Sequence, residues 1–274
     1  MRTRLLRLVA LILCMTVWGG YIAGQSLRIA CIGNSITEGM GIADKAKDSY
    51  PAQLGQMLGE GYDVRNFGVS GRTMLRKGDY PYWNEQAYAD CKQFCPDVVI
   101  LKLGTNDSKG YNWIYKKEFQ KDMQDMIDEL SALPSHPVIY LGYPAKAFQN
   151  PFGISDAVIT GEIIPIIGVV AEANNLPVID FHSAFEDKPY LMQGDSIHPN
   201  EKGATMMAAL VRTVLTNAGI VNAGFETGEI SGEPSGLLPQ GWDSAGDAEK
   251  MEFVLSENEP VEGSKCLESR ITAP

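Results

Sequence analysis

Four short runs of this 274-residue sequence concentrate polar and small residues in patterns suited to chemistry: Gly33-Asn34-Ser35, Gly68-Val69-Ser70-Gly71, Gly104-Thr105-Asn106-Asp107 and Asp195-Ser196-Ile197-His198. Acyl transfer needs a nucleophilic hydroxyl, a base to take its proton, a group to orient that base, and donors for the developing oxyanion. Ser35 supplies the hydroxyl. Asp195 and His198 are three residues apart, a spacing that lets the carboxylate take the Nδ1 proton of the imidazole while Nε2 faces a serine. Gly71 offers an unobstructed backbone N–H, and Asn106 a side-chain amide. Taken singly, each glycine could serve only a tight turn, and Asp195 could merely cap a helix beginning near Asn200. Their joint occurrence favours the chemical reading.

Rival groups are present. Ser70 lies in Gly68-Val69-Ser70-Gly71-Arg72, which looks like the nucleophile elbow of another hydrolase class but has Arg72 in place of the last glycine. His182 follows an apolar run without a nearby Asp-x-x-His arrangement, so a packed or surface role is expected for it. His136, between Ser135 and Pro137, reads as a loop residue.

The elements that must position these groups alternate between β-branched runs and helical stretches, the pattern of a parallel sheet covered on both faces. Strands are expected at Leu27–Ile32, Tyr62–Phe67, Val98–Leu103, Val138–Leu141 and Pro177–Phe181, and helices near Tyr50–Leu58, Ile114–Leu133, Ile159–Asn174 and Glu201–Asn217. Pro165 predicts a kink or a late start in the third helix. Three of the polar runs directly follow the first three strands and the Asp195–His198 run lies beyond the fifth. They therefore gather at the carboxyl edge of the sheet, where open α/β folds bind ligands.

The blocks Gly33-Asn34-Ser35-Ile36-Thr37-Glu38-Gly39, Asn66-Phe67-Gly68-Val69-Ser70-Gly71, Gly104-Thr105-Asn106-Asp107 and Asp195-Ser196-Ile197-His198-Pro199, in this order, resemble the SGNH (GDSL-type) hydrolase family. The resemblance implies a flavodoxin-like three-layer α/β/α sandwich with a five-stranded parallel sheet. It implies Ser35 as nucleophile, His198 as base, Asp195 as its orienter, and Gly71, Asn106 and the Ser35 amide as oxyanion donors. Asn34 departs from the aspartate usual in the family, which keeps shape and loses a charge; altered loop hydrogen bonding is expected, without loss of activity. The stretch Leu101–Lys109 followed by Asn112-Trp113 is similar to carbohydrate acetylesterase members, so O-acetyl esters on carbohydrates lead as substrates. A lipase, lysophospholipase or thioesterase of the same fold, and a noncatalytic carbohydrate-binding protein, are the alternatives. No metal or organic cofactor is expected, since side chains and backbone supply every group for acyl transfer. Tyr80-Pro81-Tyr82-Trp83, Trp113 and Tyr143 are aromatic groups near the strand ends, suited either to sugar stacking or to packing.

Arg2, Arg4 and Arg7 precede an apolar run, Leu5 to Trp18, and small residues around Ala23-Gly24, the layout of a signal peptide over residues 1–24. Export to the periplasm or medium, with no stable membrane span after cleavage, is the expectation. Loss of three arginines and no acids would move the formal charge from −11 to −14, which disfavours nucleic acid and acidic membranes as partners. Cys31 sits in a strand and reads as a buried small hydrophobe; Cys91, Cys95 and Cys266 are the cysteines open to oxidation in an exported protein. The catalytic domain is expected over 25–218. From Glu226 onward 11 acids stand against three bases, marking 219–274 as an acidic segment, either a tail or a truncated β-sandwich resembling carbohydrate-binding modules.

Overall fold

In the computed structural model the described residues are 26–221, together with the backbone of four strands at Ile230–Ser231, Leu238–Pro239, Met251–Ser256 and Cys266–Ile271. The expected leader over 1–24 and most of 219–274 lie outside them. The four late strands form two antiparallel pairs, Ile230–Ser231 with Leu238–Pro239 and Met251–Ser256 with Cys266–Ile271.

Strands β1 (Leu27–Gly33), β2 (Tyr62–Gly68), β3 (Val98–Lys102), β4 (Val138–Gly142) and β5 (Val178–Ile179) form one five-stranded sheet in the order β2-β1-β3-β4-β5. Every pairing in it is parallel. The alternation of side chains sorts the core into two halves. Ala30, Ile32, Val99 and Leu101 face one side, while Ile29, Cys31, Val98 and Ile100 face the other. On the first side pack α3 (Gln86–Phe94), α4 (Lys116–Ser131) and α5 (Ile164–Asn174), through Cys91, Met123, Leu130 and Ile167. On the second pack α1 (Ser35–Glu38), α2 (Tyr50–Leu58) and α6 (Glu201–Asn217), through Ile36, Leu54, Met207 and Val211. This is the flavodoxin-like three-layer sandwich, and fully burying each such aliphatic side chain contributes about 1.5–3 kcal/mol.

Several boundaries differ from the sequence expectation. Helix α3 was not anticipated, because only Tyr88 and Cys91 of its residues are fully buried, with Ala87 and Phe94 packed partly buried beside them, a short stripe among polar neighbours. The fifth strand is shorter than Pro177–Phe181: Asp180 caps a helical turn, Phe181–Ala184, by accepting from Ser183 N at 2.9 Å. Pro165 does not delay the third expected helix: helical backbone starts at Asp156 under a Ser155 cap, widens to a π segment over Ile159–Ile163 just before the proline, and continues as α5 from Ile164. Packing also runs past Ala218, with Val221 buried against the α2/α6 side. Cys31, Cys91 and Cys95 are free thiols, and Cys31 is fully buried as expected.

One core position is polar. Lys102, the last residue of β3, is 0% exposed, and its Nζ has no hydrogen-bond partner among the described residues. Its stem packs over Gly142 beside Phe181: a Cβ at Gly142 would lie 3.0 Å from both Lys102 Cγ and Phe181 Cε2. Burial pushes the ammonium down to about 7 from 10.5. Between those values the unfolded chain binds a proton that the folded chain does not, so stability rises with pH across that window. Lys102→Met is expected to raise the thermal midpoint by on the order of 5 °C or more at pH 7, with the gain shrinking as pH approaches 10. Melting curves of both proteins at the two pH values test this; an unchanged or lower midpoint at pH 7 would count against it.

Candidate active site

At the carboxyl end of β1 the chain turns sharply into α1. Gly33 is required there because a Cβ would lie 2.1 Å from Thr37 Oγ1 and 2.9 Å from the Lys102 carbonyl. Asn34 caps the helix, its Oδ1 accepting from Ile36 N at 3.1 Å, so it retains the acceptor that an aspartate would supply. Its Nδ2 is buried without a partner among the described residues. Ser35 is then the first helical residue, with a backbone N–H that has no intrahelical acceptor.

The partner of its hydroxyl comes from the other end of the domain. His198 Nε2 lies 2.9 Å from Ser35 Oγ, and His198 Nδ1 lies 2.6 Å from Asp195 Oδ2. A carboxylate at that distance fixes the proton on Nδ1 and leaves Nε2 as an acceptor for the serine hydroxyl. The other carboxylate oxygen accepts from Ile197 N at 2.9 Å and His198 N at 3.0 Å. Partial burial alone would raise the Asp195 carboxyl, but these amides and the imidazole outweigh it and hold the group below the ordinary range. The tight turn uses Ser196 at φ 60° and is closed by Gln193 N donating to His198 O at 2.7 Å. Asn200 then caps α6 through Gly203 N at 3.0 Å.

Strands β2 and β3, which flank β1, end in two further loops that reach the site. Gly71 has φ +80°, a conformation in which glycine carries no Cβ penalty, and its N–H has no acceptor among the described residues. Asn106 Nδ2 donates to Arg72 O at 3.1 Å, which uses one of its two amide protons and leaves the second. The two loops are stitched together by Asp107, which accepts from Met74 N at 3.1 Å and Leu75 N at 2.8 Å. Burial pushes this carboxyl up to about 7 in spite of those donors. Asn112 completes the framework by donating to Asn106 O at 2.9 Å. Ser35, Gly71, Asn106 and His198 all line one cavity of about 260 Å³, at the small end of the range for ligand sites. Such an arrangement can deprotonate a hydroxyl and stabilise an oxyanion beside it.

Other groups around the cavity were not legible as such. The loop after β4 brings Phe152, whose ring meets His198 edge-on at 6.0 Å between centroids, and Ile154. This loop is held by Ser155 N donating to Ser108 Oγ at 3.0 Å and by Phe148 N donating to Ser196 O at 3.1 Å. Polar anchors of this kind carry no periodicity, and Ser108, inside the Leu101–Lys109 stretch, gave no sign of its partner Ser155.

The rivals are occupied elsewhere. Ser70 Oγ donates to the Glu38 carboxylate, not to an imidazole. His182 is buried, with Nε2 3.2 Å from Asp156 Oδ1 and 3.3 Å from Thr160 Oγ1; both partners use the same nitrogen, so no relay passes through the ring. Exposed His136 approaches Ser131 O at 3.3 Å. Of the aromatic residues, Tyr82 is buried with its hydroxyl on Phe67 O, Trp83 donates to Met74 O, and Trp113 packs on Phe119, whereas Tyr80 lines the cavity. Among the described residues no cluster of three His, Cys, Asp or Glu could hold a metal ion, and no helix is long and apolar enough to cross a membrane.

An acetylxylan esterase of Xylanibacter ruminicola is 48% identical over 208 residues, covering 70% of this chain and 43% of that protein. The chain thus spans less than half the length of that relative. Among solved structures, a lipase/acylhydrolase from Enterococcus faecalis superposes with a TM-score of 0.55 at 24% identity over 70% of this chain and 96% of that one. Est24, a carbohydrate acetylesterase from Sinorhizobium meliloti, gives 0.55 at 17% identity over 70% of this chain and 99% of that one. These two share the fold. Residues 31–206 match the GDSL-like lipase/acylhydrolase family, and they contain all five chain segments that meet at the cavity; the chain belongs to that family.

Proposed function

We propose that the chain is an exported serine esterase that removes O-acetyl groups from carbohydrate. The observation that carries this reading is the unbroken relay from Asp195 through His198 to Ser35, at 2.6 and 2.9 Å, opening on a cavity that Asn106 and Gly71 also line. The 48% identity to a protein named as an acetylxylan esterase supports acetyl as the acyl group and a sugar as the alcohol. The leader-like opening residues support export.

In the reaction, Ser35 Oγ attacks the acetyl carbonyl while His198 Nε2 takes its proton. The carbonyl oxygen becomes an oxyanion held by the N–H groups of Ser35 and Gly71 and the free amide proton of Asn106. Collapse breaks the bond to the sugar oxygen, which leaves with the proton from His198, and the acetyl group stays on Ser35. Water then repeats the sequence, its proton passing to His198, and acetate departs as Ser35 regains its hydrogen. Asp195 remains ionised throughout and balances the imidazolium. The steps use side chains and backbone alone.

Ser35→Ala is expected to abolish phosphonate labelling and acetate release in a folded protein, and His198→Ala to cost several powers of ten in kcat. Asn106→Ala should lower kcat about 10²- to 10³-fold, roughly 2.7–4 kcal/mol, with KM little changed, because its bond strengthens in the transition state. Steady-state kinetics on an acetylated xylo-oligosaccharide measure all three; turnover by folded Ser35→Ala near that of the native protein would defeat the assignment.

Phe152, Ile154 and Met40 line a cavity of only about 260 Å³, so kcat/KM on p-nitrophenyl esters should fall as the acyl group lengthens from acetyl to octanoyl. A rise along that series would favour a lipase or thioesterase instead.

A further inference from the structure

The charged residues lining the cavity are of one sign. Arg72 and Lys109 line it and no carboxylate does, in a chain whose formal charge is −11. The two cations differ in what is left for a ligand. Arg72 is committed: Nη1 donates to Ser70 O at 2.7 Å, Nε donates to Glu85 Oε1 at 2.8 Å, and the guanidinium lies 5.4 Å from the centre of the Tyr80 ring. Lys109 makes no ion pair and no side-chain hydrogen bond among the described residues. Asp79 of the neighbouring segment accepts from Asn112 Nδ2 at 2.9 Å and the Tyr111 hydroxyl at 3.2 Å and makes no ion pair with Lys109.

Lys109 is also placed by the catalytic framework itself. It lies three residues after Asn106, and its N–H donates to Asn106 O at 3.3 Å, so its side chain starts from the loop that carries an oxyanion donor. An acetyl ester is neutral, and its oxyanion already has three donors. The unpaired ammonium is therefore left for the alcohol part of the substrate, beside the apolar walls that weaken screening and strengthen its field. Tyr80, 56% exposed at the same rim, offers a ring face beside it.

Resting on the esterase reading above, we propose that Lys109 is a specificity-determining residue that takes the carboxylate of a uronosyl unit next to the acetylated sugar. The substrate class is then an acetylated polysaccharide that bears uronic acid. A single unpaired ammonium matches one monoanionic carboxylate.

The test compares two substrates that differ in one group: an acetylated xylo-oligosaccharide with a glucuronosyl branch, and the same oligosaccharide after reduction of the carboxyl to a primary alcohol. Native protein is expected to prefer the acid form by about three- to tenfold in kcat/KM, with the preference shrinking as salt is raised. Lys109→Gln should bring the ratio close to one and Lys109→Arg should keep it. Equal rates of native protein on the two substrates would overturn the proposal, as would a Lys109→Gln protein that slows on both by the same factor and keeps the preference. Absence of acetate release from either substrate by native protein would instead remove the esterase reading on which the proposal stands.

Discussion

The 2.9 Å approach of His198 Nε2 to Ser35 Oγ joins groups 163 residues apart, and most of the domain serves to set that one length. Serine is fixed by the end of β1, in register with Gly68 of β2 and Lys102 of β3. Histidine is fixed by a turn that closes on itself and leads into α6, whose apolar face is buried against the same side of the sheet as α1 and α2. A parallel sheet places its strand ends at one edge, so groups far apart in sequence meet there without long arms. Because core packing transmits small shifts, an error of even half an ångström in how α6 rests on the sheet would appear directly in the serine–imidazole distance.

Around that contact, acceptors and donors are divided by position. Asp195 and His198 lie on one side, where negative charge is useful to orient an imidazole and balance it when protonated. The loops after β2 and β3 bring groups that donate: Gly71, Asn106 and the two cations. Asp107 holds these loops in shape while keeping its own carboxylate away from the cavity, spending both oxygens on the amides of Met74 and Leu75. Its burial raises its pKa, a cost that two backbone hydrogen bonds offset only in part.

Much of this was legible in the sequence, for a physical reason. Strands buried on both faces leave apolar runs and tight turns at their ends demand glycine, so the places of Ser35, Gly71 and Asn106 at strand ends could be read from local chain chemistry, while their roles rested on four blocks occurring together in the pattern of the hydrolase family. The Asp195/His198 pair was readable because both groups sit within one turn. The remainder depends on contacts between distant segments. Nothing in the sequence near Asp107 points to Met74, nothing near Ser108 points to Ser155, and Asp156 meets His182 across 26 residues. Helix α3 escaped because it buries a narrow stripe, and Phe152 because an aromatic residue in a Gly/Pro-bearing loop gives no sign of what it covers.

The order of the catalytic groups along the chain has a consequence for biosynthesis. Ser35 is made early and His198 among the last residues of the domain, with α6 still to follow. A nascent chain that ends before residue 198 holds Ser35 without its imidazole partner, and one that ends before α6 holds both without the packing that brings them together. On the esterase reading, hydrolytic competence would arise only once the domain is complete, and turnover would then be a sensitive readout of finished folding.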